Sequence, residues 1–254
     1  MNLLSKGEKN QLNYYVLSNR NDMGKYAADL ATEHIKKKQK EKEEVRIIFA
    51  SAPSQDEFLD HLINNKEINW SKIVGFHMDE YIGLPDESDQ LFRKYLEEHI
   101  VKKVNFKAFH FIEGMKDVNE MKEKYSSLLK EKPIDLCCLG IGENGHIAFN
   151  DPPVADFHDP ELIKKVALDK YSRQQQVNDG CFNTIEEVPT HALSLTIPAL
   201  TSASVMVCTV PGPTKKEAVH RVLHDDITTA CPATVLREHK RAYLILDEQA
   251  YGRE

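Results

Sequence analysis

Two adjacent carboxylates follow the short apolar run of residues 73–76. They belong to Asp79 and Glu80, and apolar residues flank the pair on both sides. Removing a carboxylate from water costs free energy, so we expect a desolvated carboxylate to have a partner or a function. Desolvation also raises the pKa of a carboxyl group toward neutral pH. The pair therefore indicates a general base for proton transfer or, equally well, a helix cap or salt-bridge partner.

A second group of chemically capable residues lies in the glycine-rich segment 140–153. It contains Asn144, His146 and Asp151. A carboxylate near a histidine can orient the imidazole and stabilise its protonated form, so the three residues predict an acid–base site. The segment also contains G-x-G-x-x-G. It lies mid-chain and runs into two prolines, which argues against the first strand–helix turn of a dinucleotide-binding fold.

Residues 50–54 could bind an anion. Their small side chains precede a predicted helix start at Ser54, with Glu57 at capping-box spacing. Free backbone N–H groups at a helix start attract anions, although an ordinary capped turn explains this segment as well.

The segment 211–217 repeats the pattern with Thr214 and Glu217. This spacing places Lys215 in the first helical turn, where a cation opposes the helix dipole. Binding of a phosphate would explain a lysine there. The alternative is a lysine that faces solvent, as we expect for Lys216.

The four loops follow predicted strands. Strands are predicted at residues 45–49, 73–76, 134–139, 192–197, 205–210 and 242–246, and helices at residues 54–63, 91–101, 118–129 and 215–223. Their alternation predicts an α/β fold, a single Rossmann-like domain over residues 1–254 with a mainly parallel sheet and helices on both faces. In such sheets ligands bind outside the carboxyl ends of the strands.

Composition excludes several classes of partner. The formal net charge of −7 at pH 7 argues against nucleic acid, and no run reaches the ~20 apolar residues that span a membrane. The N-terminal residues lack the apolar core of an export signal. The five cysteines lack metal-type spacing, and the adjacent Cys137 and Cys138 are typical of reduced, buried thiols. We therefore expect a cytoplasmic enzyme without a metal, assembled as a homo-oligomer by default.

Two long motifs resemble those of the glucosamine-6-phosphate deaminases. The segment FHMDEYIGLP, residues 76–85, is similar to the family's M-D-E-Y-x-G-L-P signature, and LGIGENGHIAFNDPP, residues 139–153, is similar to its glycine-rich segment. The similarity extends over residues 12–250. It implies a Rossmann-like fold and a reaction, without a cofactor, that converts the small-molecule sugar phosphate glucosamine 6-phosphate and water to fructose 6-phosphate and ammonia.

The resemblance also implies roles at the reacting carbons. Asp79 would be the base that moves the C2 proton of the sugar to C1 through an enolamine. His146 would accept a proton as the sugar ring opens, with Asn144 and Asp151 supporting it.

The phosphate, by the same resemblance, would be held by Lys215 and by the backbone around Ser51 and Ala52. The arginine that the family carries ahead of its Val-Pro segment is not evident, and Arg173 is a distant candidate for it. The chain has Asp151 where the family usually has glutamate. Three alternatives remain: a galactosamine-6-phosphate deaminase, a 6-phosphogluconolactonase-type hydrolase and a non-catalytic sugar-phosphate sensor.

Overall fold

The computed structural model describes residues 1–252. These residues form eleven strands and eight α-helices. The strands are β1 (Leu3–Lys9), β2 (Leu12–Leu17), β3 (Val45–Phe49), β4 (Ile73–His77), β5 (Asp79–Tyr81), β6 (Ala108–His110), β7 (Leu136–Leu139), β8 (Ile163–Ala167), β9 (His191–Leu195), β10 (Val205–Val210) and β11 (Ala242–Asp247). The helices are α1 (Arg20–Glu41), α2 (Asp56–Ile63), α3 (Phe92–Leu96), α4 (Val118–Lys130), α5 (Lys170–Asn178), α6 (Ile197–Thr201), α7 (Lys216–His224) and α8 (Glu248–Tyr251).

An eight-stranded sheet forms the centre of the molecule, in the order β1-β2-β11-β10-β7-β3-β4-β6. Every neighbouring pair is parallel except the β1–β2 hairpin. The chain passes from β3 to β4 on one side and from β7 to β10 and β11 on the other, so the strand order reverses between β3 and β7. Such a reversal leaves a crevice outside the carboxyl ends of the two strands.

Alternate residues of the central strands face two apolar clusters. Ile48 of β3 belongs to the cluster that α4 and α7 cover. Its neighbour Ile47 belongs to the cluster that α1 and α2 cover. Strands that are buried on both faces have continuous apolar runs in their sequence. For this reason β3 and β10 are easy to recognise from the sequence.

A smaller antiparallel sheet, in the order β5-β9-β8, lies beside the central one. Strand β5 begins directly after β4 and pairs with β9, with Asp79 opposite Ser194. Behind it, Tyr81 packs in an aromatic cluster with Phe92 and Phe149. This sheet fixes the backbone at the predicted base.

The α/β fold with a mainly parallel sheet and helices on both faces is confirmed. Strand β9, predicted at residues 192–197, lies in the antiparallel sheet and ends before helix α6 begins. Helix α3 continues as a π-helical turn, Glu97–Val101, so the pattern predicted at residues 91–101 is covered by two helix types. No helix in residues 1–252 has the length and apolar character needed to cross a membrane.

Both predicted capping boxes are wrong. The chain enters α2 and α7 through short 3₁₀ turns, Pro53–Gln55 and Pro213–Lys215. Each turn starts at a proline, whose fixed φ favours a first helical position. Ser54 and Thr214 therefore lie inside these turns, and neither α-helix has a side-chain cap.

Candidate active site

A cleft of about 260 Å³ opens at the carboxyl ends of the central strands. The loops after β3, β7 and β10 form its walls, and Asp79, Phe92 and part of α5 complete them. The cleft therefore lies at the crevice that the reversal between β3 and β7 creates. The structure brings all four loops singled out in the sequence to this one place.

Asp79 lines the cleft with a side chain that forms no hydrogen bond within the described residues. The residue is 7% exposed. Burial raises the pKa of Asp79 well above the ordinary range, and the charge of Glu80 makes a second, smaller contribution to the same shift. A carboxylate with no donors around it is a stronger base than one held by hydrogen bonds, as proton abstraction requires.

Glu80, by contrast, is fully engaged with backbone. Its Oε1 accepts from the N–H groups of Tyr81 at 2.8 Å and Phe92 at 3.2 Å, and its Oε2 accepts from Arg93 at 2.9 Å. It thus satisfies free donors at the start of α3. Burial raises the pKa of Glu80 to about 7, against these hydrogen bonds, which lower it. Of the two carboxylates, Asp79 faces the cleft and Glu80 holds structure.

His146 is fixed by a set of oxygens around its Nδ1 atom. Asn144 Oδ1 lies at 2.8 Å, Ser172 Oγ at 3.0 Å and Asp151 Oδ1 at 3.1 Å. Asn144 Oδ1 also accepts from the His146 backbone N–H at 3.0 Å. Because Nδ1 faces only oxygens, the network assigns the proton of the neutral ring to Nδ1. Nε2 has no partner among residues 1–252 and is an available proton acceptor.

Gly142 and Asp151 complete the histidine's surroundings. A Cβ atom at position 142 would lie 2.0 Å from the His146 Cε1 atom, so only glycine leaves room for the ring. Burial alone would raise the pKa of Asp151, but hydrogen bonds from His146, Asn144 and Ser172, with the charge of His146, hold it below the ordinary value. Asp151 thus stays ionised beside the imidazole and stabilises its protonated form.

The other end of the cleft is suited to an anion. Lys215, 7% exposed, lines it, and its side-chain ammonium has no hydrogen bond or ion pair within residues 1–252. Burial lowers the pKa of its ammonium, and the charges of Asp179 and Glu143 oppose that shift. Ser51 Oγ is buried without a partner, and the backbone N–H groups of Ser51 and Ala52 make no hydrogen bond within the described residues. A bound phosphate would satisfy these donors.

Comparison with known proteins identifies the family. A sequence model described as "Glucosamine-6-phosphate isomerases/6-phosphogluconolactonase" matches residues 18–245. The chain belongs to this family. Curated glucosamine-6-phosphate deaminases from Bacillus cytotoxicus and Bacillus cereus (strain B4264) are 36% and 34% identical to it over 189 residues, covering 74% of this chain and 70% of each relative.

Solved structures share the fold of this deaminase and lactonase family. A monomeric glucosamine-6-phosphate deaminase has a TM-score of 0.85 at 23% identity, covering 95% of this chain and 99% of that one. The 6-phosphogluconolactonase of Thermotoga maritima has a TM-score of 0.75 at 18% identity, covering 93% and 99%. A protein named as a deaminase and one named as a lactonase therefore share this fold.

The structure gathers most of the predicted site residues around the cleft. Asp79, His146, Lys215, Ser51 and Ala52 line it, and Asn144 and Asp151 hold the histidine from behind. Within residues 1–252 no three His, Cys, Asp or Glu side chains form a group that could hold a metal ion.

Arg173 does not line the cleft, so its prediction as a phosphate ligand is wrong. Its guanidinium donates to the backbone carbonyls of Val188, at 3.0 Å from Nη2, and Ile185. Both carbonyls belong to the segment after α5, and that of Ile185 also accepts from the Val188 backbone N–H at 3.3 Å. Arg173 therefore holds this segment in place.

Two residues of the site were not predicted. Ser172 contacts both His146 and Asp151, and no motif marks a single serine in a polar helix. Arg20 lines the cleft at its anionic-ligand end, held by Glu57 at 2.7 Å and by the Pro53 carbonyl at 2.8 Å. Its position at the start of α1 follows only from the packing of α1 on α2, which the sequence does not reveal.

Proposed function

We propose that this protein is a glucosamine-6-phosphate deaminase, which converts glucosamine 6-phosphate and water to fructose 6-phosphate and ammonia. The observation that carries the proposal is one cleft with two separate acid–base groups, Asp79 and His146, and an unpaired cation, Lys215. Deamination of an aminosugar phosphate requires all three of these groups. The names of the curated relatives support the same reaction.

Ring opening is the first step. The Nε2 atom of His146 accepts the proton of the anomeric hydroxyl, and the resulting imidazolium returns it to the ring oxygen as the C1–O5 bond breaks. The carboxylate of Asp151 stabilises the imidazolium, and Asn144 Oδ1 fixes the ring through Nδ1.

The proton shift from C2 to C1 is the second step. Asp79 removes the C2 proton while O1 takes up a proton from water, which gives an enolamine. Asp79 then returns its proton to C1 while the amino group loses a proton to water, which gives an imine at C2. Water then adds to C2 and ammonia leaves, so that the ketone forms. The carboxylate of Asp79 is buried and accepts no hydrogen bond within residues 1–252, which suits a base that must give the same proton back.

Lys215, Ser51 and Ala52 would bind the phosphate at the far end of the cleft. Their backbone and side-chain donors do not take part in proton transfer. Phosphate binding would place C1 and C2 between the two acid–base groups, which contributes to catalysis by orientation.

The decisive experiment is an ammonia-release assay with glucosamine 6-phosphate and galactosamine 6-phosphate, with hydrolysis of 6-phosphogluconolactone measured in parallel. We expect ammonia from glucosamine 6-phosphate. Faster release from the galactose epimer would reassign the substrate. Lactone hydrolysis alone would indicate a lactonase, and binding without turnover would indicate a sensor.

We further propose a cytoplasmic location, which the absence of disulfides among the five cysteines supports, since all five are free thiols. Homo-oligomeric assembly stays a prediction, and one structural neighbour is described as monomeric.

A further inference from the structure

Helix α5 is joined to the histidine loop mainly through polar contacts. Its two buried residues are Ser172 and Gln175. The Gln175 Oε1 atom accepts from the backbone N–H of Glu143 at 3.0 Å. On its other side, Val177 is only partly buried against the aromatic cluster. A helix held by so little apolar surface depends on its polar contacts for its position.

The Ser172 hydroxyl is placed between the two groups that control the imidazole. Its Oγ donates to Asp151 Oδ1 and lies 3.0 Å from His146 Nδ1. It therefore lowers the pKa of Asp151 together with the other donors, and it offers a third oxygen to the Nδ1 proton. No other side chain of α5 forms a hydrogen bond with His146.

The same helix forms a wall of the cleft. Gln175, Gln176 and Asp179, which follow Ser172 along α5 and at its end, line the space where the sugar phosphate would bind. The Ser172 hydroxyl thus links the position of this wall to the orientation of the imidazole.

We propose that Ser172 is a positioning residue for the ring-opening histidine and couples the position of helix α5 to the orientation of His146. The proposal rests on the proposed function for its role in turnover. The hydroxyl holds the proton on Nδ1, and Nε2 is thereby kept as the acceptor that faces the substrate.

The first test is Ser172→Ala in the full chain. We expect kcat for glucosamine 6-phosphate to fall about 10-fold, as for the loss of a hydrogen bond to a charged group, with KM changing less than about threefold. The acid limb of the pH–rate profile should move to higher pH, because Asp151 loses a donor that lowers its pKa. The reduced, acyclic amino-alditol phosphate needs no ring opening and should bind to the variant as it binds to the parent.

The matched control is Gln174→Ala, on the same helix. Gln174 is exposed and bonds only to Asn178. It should leave kcat and the pH profile at parental values, because it contacts neither His146 nor Asp151.

A second measurement needs no turnover and so separates this proposal from the proposed function. The ¹⁵N resonances of the His146 ring should report a single Nδ1–H form in the parent and a mixture of ring forms in Ser172→Ala. A variant with parental ring resonances overturns the proposal, whichever sugar is the substrate. If the alanine variant does not fold, Ser172→Cys keeps the size with a weaker donor, and the same parental values in that variant overturn it.

Discussion

Asp79 and Glu80 are chemically alike and adjacent, yet their surroundings separate their roles. Asp79 faces the cleft without donors, so Asp79→Asn keeps its shape and removes the proton acceptor. We expect kcat to fall at least ~10²-fold while the sugar phosphate still binds, since general-base catalysis contributes that much or more. Deuterium carried at C2 of a labelled substrate should no longer be transferred to C1 of the product. Parental turnover would remove Asp79 from the mechanism, and Asp60→Asn on the exposed surface of α2 is the control.

The parental enzyme should also show the raised pKa of Asp79 in its pH dependence. The base works only when ionised, so kcat/KM should fall as the pH drops through a pKa well above the ordinary aspartate range. A profile that stays flat down to the pKa of an exposed aspartate contradicts this assignment.

We expect Lys215 to act on substrate binding. Lys215→Ala should raise KM for the phosphorylated sugar much more than it lowers kcat, because a phosphate contact is made in the ground state and the transition state alike. The preference for phosphorylated over unphosphorylated sugar should shrink as well. Lys216→Ala, one residue further along, is the control. An unchanged KM would place the phosphate elsewhere, and Arg20 would be the next residue to replace.

We expect Asp151 to act through the imidazole of His146. Asp151→Asn removes the anion that stabilises the protonated ring, so we expect kcat for the cyclic sugar to fall about 10²-fold and the pH–rate profile to change. Asp151→Glu should retain activity if the loop accommodates one methylene. An Asn variant with the parental rate and profile would leave Asp151 as a turn residue before Pro152.

At the scale of elements, β5 and α3 are joined by one buried carboxylate. Glu80→Gln would place an amide N–H₂ against backbone N–H groups that now donate to two carboxylate oxygens. We expect the free energy of unfolding to fall by roughly 1–3 kcal/mol, the cost of a buried donor without an acceptor. Urea unfolding followed by the fluorescence of Trp70 measures it, with Glu87→Gln on the exposed loop as control.

The pH dependence of this loss has a definite sign. Burial raises the pKa of Glu80 to about 7, so between its ordinary value and about 7 the folded chain keeps a proton that the unfolded chain has released. The stabilising contribution is complete at the acid end of this range and is lost as the pH rises through about 7. The deficit of Glu80→Gln should therefore be larger at pH 5 than at pH 8, and an equal deficit at both would contradict the shift.

Particular elements show what sequence patterns can predict. Strands β3 and β10 are runs of β-branched and apolar residues and were predicted with their observed bounds. Strand β5 has three residues and no usable periodicity, and its place depends on a partner far along the chain. The capping boxes failed because a proline one residue earlier starts each turn, which local spacing does not show.

At the scale of the whole molecule, parallel strands explain why the site residues could be predicted at all. Their carboxyl ends share one edge of the sheet, so loops distant in sequence become neighbours in space. Asp79, His146 and Lys215 follow from that rule. Ser172 and Arg20 do not, because helices α5 and α1 bring them to the cleft by tertiary packing, and Arg173 fails for the same reason.

The pairing of β5 with β9 has a consequence for how the molecule comes into being. During synthesis, the strand that holds Asp79 in register, His191–Leu195, is made after Asp79, His146, Asp151 and Ser172. Closing so long a loop has an entropic cost that only the nearly finished chain can offset. A nascent chain that stops at residue 190 therefore carries both proposed acid–base groups, yet the strand that contains Asp79 has no partner. A chain that ends before residue 191 is therefore not expected to turn over the substrate.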